Sequence, residues 1–147
     1  MKYGKLALII PATMAFMVAV AHLSCLYFGE QCYRAQMAPD FLVESARQGT
    51  WLAPVLNVII SALFIILGFY ALSAAQIIRQ LPLLRFVIIF VSVVSVIRGL
   101  LPIQLWIRKP ELVSSVVLVV GVAWLLCGVF MYSGYRRLRK TQSLTSE

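Results

Sequence analysis

His22, Cys25, Glu30, Cys32, Asn57, Arg98 and Ser114 carry the chemistry of this 147-residue chain that stands out from its apolar surroundings. His22 is the one histidine. It lies three residues before Cys25, which puts both on one face of a helix. A metal centre would need Cys32 to converge on the same point and a fourth ligand besides, and none stands out. A lone imidazole could ligate haem, but a histidine satisfied within helix packing is the simpler reading. No metal and no cofactor are therefore expected. On an uninterrupted helix Cys25 and Cys32 would lie about 10 Å apart along the axis, a poor geometry for a disulfide. A break at Gly29 brings them closer, and an oxidising face would then permit the bond.

Arg98 is the charge that most needs a role. Its guanidinium could hold an anionic headgroup, a quinone oxygen or a partner's carboxylate. Alternatively it snorkels to the membrane surface and steadies the packing. If it is buried, Glu30 is the natural charged partner. Paired carboxylates within the apolar runs, a Gly-rich phosphate loop and an intramembrane acid to relay protons are all missing from the sequence. The chain does not read as an enzyme, and the lack of a relay argues against an ion-coupled carrier.

The elements that must position these residues follow from composition. Apolar residues make up 62%, against roughly 45–50% in globular domains. Charged residues make up 12%, and mean hydropathy is +0.94. Those values exclude a soluble enzyme, a disordered chain and a nucleic-acid reader. Four apolar runs, 6–28, 51–75, 83–102 and 112–132, are long enough to cross a bilayer as helices. Each is about twice the length of a barrel strand and apolar on every face. The expected fold is an all-α membrane protein, a single domain over 1–147 built as a four-transmembrane-helix bundle. His22, Asn57, Arg98 and Ser114 then fall at one depth, towards the outer side.

The first connection has its own signals. Pro39 suits a first helical turn, Asp40 and Glu44 suit its N-terminal half, and Gly49 suits a left-handed cap. With Phe41, Leu42, Ser45 and Ala46 as the apolar face, residues 39–48 predict a short amphipathic helix at the outer surface. Tyr27, Tyr33, Trp51 and Trp106 read as interfacial aromatics. Pro11 and Pro54 lie within spans and predict kinks. Small residues from Ser61 to Gly128 predict close helix contacts.

Basic residues set the orientation. Lys2, Lys5, Arg79, Arg85, Arg136, Arg137, Arg139 and Lys140 fall on one side, whereas Arg34, Arg47, Arg108 and Lys109 fall on the other. The richer side should be cytoplasmic, which puts both termini inside and residues 29–50 outside. The basic tail should anchor to anionic headgroups and fray at its end. Ala19-Val20-Ala21 fits a signal-peptide cleavage site, but the apolar run continues to Phe28, which suits a retained span better.

The stretch Tyr70-Ala71-Leu72-Ser73-Ala74-Ala75, then Ile78-Arg79-Gln80-Leu81-Pro82-Leu83-Leu84-Arg85 and Arg98-Gly99-Leu100, resembles small, uncharacterised four-span bacterial inner-membrane proteins. The resemblance covers about a third of the chain and implies topology more than activity. Ala38-Pro39 is weakly similar to the segment after the first span of DoxX-like proteins. In size and layout the chain is similar to immunity proteins against pore-forming toxins, with no shared motif.

The leading expectation is therefore a non-enzymatic interaction protein of a bacterial inner membrane. Its partners would be the bilayer and a membrane-inserted toxin or another membrane protein, with a second copy of the chain left open and nucleic acid excluded. The alternative is an accessory protein that binds a small ligand (quinone, lipid or haem) at an outer polar level of His22, Glu30, Asn57, Arg98 and Ser114. A small channel or transporter is the weaker third option.

Overall fold

The structure is a computed structural model that describes residues 2–36, 38–110 and 113–145, with side chains described through residue 141. Among the described residues every regular element is a helix: α1 (Lys2–Phe28), α2 (Glu30–Ala35), α3 (Asp40–Arg47), α4 (Leu52–Ala74), α5 (Leu84–Arg108) and α6 (Ser115–Thr145). Helices α1, α4, α5 and α6 are long and apolar enough to cross a membrane. The fold is an all-helical membrane protein, because only a helix bonds all its own backbone groups within one apolar segment.

Two boundaries and one kink differ from those the sequence predicts. Pro102 does not end the third span; it lies inside α5, which continues to Arg108. A proline cannot return an N–H to the carbonyl four residues back, so the Arg98 carbonyl receives no helix bond from residue 102, yet the helix carries through. Pro54 falls in the first turn of α4, where the missing N–H has no helical acceptor to satisfy, so it makes no mid-helix kink. Helix α6 continues through the basic segment to Thr145. The start of the fourth predicted run at Leu112, neighbouring Glu111, and the final residues 146–147 of the tail lie outside the described residues.

Packing divides the chain into two compact units, Met1–Ala12 with Phe69–Glu147, and Thr13–Gly68. In the first, α5 and α6 run antiparallel with backbones in contact. A Cβ added at Gly99 would lie 2.6 Å from the Leu125 nitrogen and 2.7 Å from the Gly121 carbonyl oxygen, and one added at Gly128 would lie 2.7 Å from the Ser92 carbonyl oxygen. The start of α1 packs on the end of α6 by the same device, since a Cβ at Gly134 would meet the Leu8 side chain at 2.9 Å. Leu8, Ala12, Ala71, Ala74, Ala75, Leu84, Ile88, Met131 and Leu138 form its core. Val93, Val94, Ile97 and Leu101 of α5 are exposed, as lipid-facing residues should be.

The connection from α4 to α5 is tightly determined. Gln76 (φ 59°) and Leu83 (φ 54°) both adopt left-handed backbone, which costs about 1–2 kcal/mol for a residue with a Cβ. Gln76 closes α4 as a glycine usually would: its N–H bonds the Ser73 carbonyl at 3.0 Å, and the Ile77 N–H bonds the Leu72 carbonyl at 3.1 Å. Buried Ser73 holds the loop from inside. Its Oγ donates to the Arg79 carbonyl at 3.1 Å and accepts from the Leu81 N–H at 3.0 Å. The Tyr70 hydroxyl donates to the Pro82 carbonyl at 3.1 Å.

In the second unit, α1 and α4 are antiparallel, and Gly68 admits the Phe16 ring, whose nearest atom would lie 2.7 Å from an added Cβ. Chain reversal after α1 occurs at Gly29, whose φ of 62° with ψ of −145° is open only to glycine. Helix α3 matches the amphipathic helix expected in the first connection, and it ends at Gly49 (φ 68°) with the Thr50 N–H on the Ser45 carbonyl at 3.0 Å. Its buried face holds Leu42 and Ser45 as expected, with Ala46 packed against the core; Val43 joins them, and Phe41 alone of the expected face is exposed.

The glycine contacts are directly testable. Gly99→Ala should destabilise the protein by about 1–3 kcal/mol, because the methyl meets backbone rather than a flexible side chain. Detergent-titration unfolding should show that loss, with Val93→Ala on the exposed face close to wild type.

Candidate functional site

The five residues expected to form an outer polar level are each held by a local partner. His22 and Asn57 come together in the second unit. Asn57 is 3% exposed, and its Nδ2 donates to the His22 carbonyl oxygen. The Ser61 hydroxyl donates to the Asn57 carbonyl at 2.8 Å. The His22 ring stacks on Phe64, with centroids 5.7 Å apart and planes 16° apart. An amide that bonds a backbone carbonyl of the facing helix is a fastener, because in lipid an unanswered carbonyl or amide costs several kcal/mol.

Glu30 binds within its own short helix: Arg34 Nε donates to Glu30 Oε1 at 2.8 Å. Arg98 belongs to the other unit and is exposed, so the condition that would have made Glu30 its partner is not met. Its guanidinium lies 5.5 Å from the centroid of the Trp124 ring, a cation–π contact between facing positions of α5 and α6. Ser114 is exposed and precedes α6, where its hydroxyl accepts from the Val117 N–H at 3.4 Å. That is the position and bond of an N-cap, at the long end of the range.

Cys25 and Cys32 are joined by a disulfide, with Cα atoms 5.0 Å apart. The straight-helix geometry does not apply, because the reversal at Gly29 folds α2 back on the end of α1. Around this bond Cys25, Tyr33, Leu42, Val43 and Ala53 form a second core. Tyr33 is therefore a buried cap residue and not an interfacial one. Burial pushes its phenol above the usual range, and its hydroxyl has no hydrogen-bond partner among the described residues. Gln36 Nε2 closes over the bond and donates to the Ala21 carbonyl at 2.7 Å. Ser45 joins α3 to α4. Its Oγ lies 2.6 Å from Thr50 Oγ1 and accepts the Ala53 N–H at 2.9 Å, so it caps the first turn of α4 from another helix. On the open side of α3, Arg47 and Gln48 donate to Glu44 and hold its carboxyl below the ordinary range.

Sequence reasoning missed Gln36, the capping role of Ser45 and the Trp124 partner of Arg98. It also missed a cavity of about 370 Å³ in the first unit, bounded by the α4–α5 connection and α6. Ser73, Gln76, Gln80, Tyr135 and Arg139 supply its polar lining. The basic residues there were legible only as topology. About 14 residues of α5, some 21 Å of helix, separate Leu84 in its wall from Arg98.

Compared with protein families, curated proteins and solved structures, the chain gives no match.

Two outcomes test the second unit. Replacing both Cys25 and Cys32 with serine should cost about 2–3 kcal/mol for a closed loop of this size, and limited proteolysis should then cut between α1 and α4 much faster. Asn57→Leu should cost about 1 kcal/mol in thermal unfolding, whereas Ser114→Ala should lie within a few tenths, as a weak exposed cap would.

Proposed function

We propose that this chain is a non-enzymatic interaction protein of a bacterial inner membrane, with both termini cytoplasmic, and that it protects the cell against a membrane-acting toxin. The observation that carries this reading is the use to which its polar side chains are put. Asn57, Ser61, Ser73 and Ser45 all bond backbone groups, and Glu30 is taken by Arg34. Such groups fasten a scaffold. What the scaffold offers a partner is the cap of α2 and α3, closed by a disulfide, with Phe41 exposed beside it and Tyr27 and Trp51 exposed at the adjoining helix ends. Aromatic side chains on a rigid support are the usual anchors of protein recognition.

The orientation has two independent supports. Basic residues concentrate on the side of the termini. A disulfide persists in an oxidising compartment, which suits an outward-facing cap.

A second reading, an accessory protein for a small ligand, gains support from the polar cavity beside Arg139 rather than from His22 or Arg98.

Deleting the gene and challenging the cells with a sibling strain that secretes the cognate toxin should lower survival, and a plasmid copy should restore it. Survival unchanged by deletion refutes the protective reading.

A further inference from the structure

The first unit is rich in basic residues. Lys2, Lys5, Arg79, Arg85, Arg136, Arg137, Arg139 and Lys140 all belong to it. The start of α1 packs against the end of α6, and the ends of α4 and α6 share one core with the start of α5. That packing gathers these residues at one end of the unit. Every described acidic residue (Glu30, Asp40 and Glu44) lies in the other unit. No carboxylate lies among the described residues of this unit, and an anion bound at this end would be attracted by its basic residues.

The surface at this end has the shape of an amphiphile. The polar cavity at Ser73, Gln76, Gln80, Tyr135 and Arg139 has a volume of about 370 Å³. Beside it runs an apolar groove of about 560 Å³, walled by Leu81, Leu83, Phe86 and Ile89, with Arg85 at its rim. Gln80, Leu84 and Tyr135 line both, so the polar space and the apolar one lie side by side. Both volumes fall within the range of small-ligand sites. Leu83 is 75% exposed and Phe86 68%, leaving the groove open to an acyl chain. Gln76 and Leu83, the two left-handed residues without glycine's freedom among the described residues, stand one in each wall. Strained backbone of this kind persists where the surroundings over-determine it, here through Ser73 and Tyr70.

We infer that this end of the protein binds one anionic phospholipid, with its phosphate headgroup in the cavity at Arg139 and Gln80 and an acyl chain along Leu83, Phe86 and Ile89. The inference rests on the small-ligand reading above and not on toxin protection. Arg139 supplies charge and N–H donors for phosphate oxygens, and the Gln80 and Gln76 amides can donate to the same group. A free phosphate would share the headgroup contacts but leave the groove empty.

The test uses the full-length chain purified in an uncharged maltoside detergent, with native mass spectrometry as the readout. Dioleoyl phosphatidylglycerol should be retained at one per chain, at least about fivefold more tightly than dioleoyl phosphatidylcholine. Arg139→Gln should reduce that retention about fivefold, as expected for one lost basic group. Arg136→Gln, outside both cavities, should leave it nearly unchanged. Phe86→Ser should weaken phosphatidylglycerol while leaving the binding of glycerol phosphate as it was. Equal retention of the two lipids, or equal loss in the Arg136 and Arg139 variants, would overturn the inference in favour of diffuse surface attraction. Displacement of the lipid by millimolar inorganic phosphate would overturn it in favour of a free-anion site. A chain that leaves the cell with bound quinone or haem and ignores phosphatidylglycerol keeps the small-ligand reading and loses this one. A chain that carries nothing and retains no lipid loses both.

Discussion

Two helix backbones can touch within a bilayer only where side chains are absent, and in this protein that condition carries much of the packing. Lipid tails are as apolar as leucine, so no water is released when two apolar helices meet, and close van der Waals contact has to supply what the hydrophobic effect supplies in water. Gly99, Gly121 and Gly128 bring α5 and α6 to that distance, and Gly4 and Gly134 do the same for α1 and α6. Larger residues would hold the pairs apart and forfeit the contacts on both sides. The exposed faces of α5 and α6 tolerate valine, isoleucine and leucine in many positions because lipid makes no demand on their shape. The informative positions are therefore the small ones.

Once the helices touch, the polar groups between and beyond them must be answered locally. Three buried side chains do this at three junctions. Ser45 ties the end of α3 to the first turn of α4, Asn57 ties α4 to the His22 carbonyl of α1, and Ser73 ties both edges of the α4–α5 connection. Each is a short side chain bonded to backbone, which loses little conformational entropy on ordering. The disulfide adds a covalent constraint where the short α2 could not hold itself, since a helix of 6 residues makes few internal bonds.

Run length made the spans legible in the sequence, because nothing but a helix accommodates twenty apolar residues in lipid. Local signals made α3 legible as well: a proline, two acids and a glycine at the right intervals. What the sequence hid depended on register between elements. The Arg98–Trp124 contact needs the antiparallel alignment of α5 and α6, which no spacing within either helix reveals. Leu42 and Ser45 of α3 face inward as their spacing suggests, but the helix turns Val43 inward with them and leaves Phe41 exposed. The disulfide is readable in the sequence only through a chain reversal at Gly29. The left-handed ending of α4 was invisible because Gln76 stands where a glycine would have announced it.

Charge separates the two units as sharply as packing does. In residues 13–68 two of the three acids pair with bases: Arg34 with Glu30 at 2.7 Å and Arg47 with Glu44 at 2.8 Å. In the other unit, among the described residues, there are bases and no acids. Self-repulsion among so many like charges opposes compact packing, yet they sit at helix ends drawn together by glycine contacts and a shared core. The packing holds them close, and the membrane surface is where compensation is available, since a leaflet of anionic headgroups attracts each basic residue by about 1 kcal/mol. A patch that serves only to orient the chain would gain that attraction without any cavity. The polar recess beside Arg139, adjoining an apolar groove and framed by two strained residues, asks for a ligand with both a charge and a hydrocarbon tail.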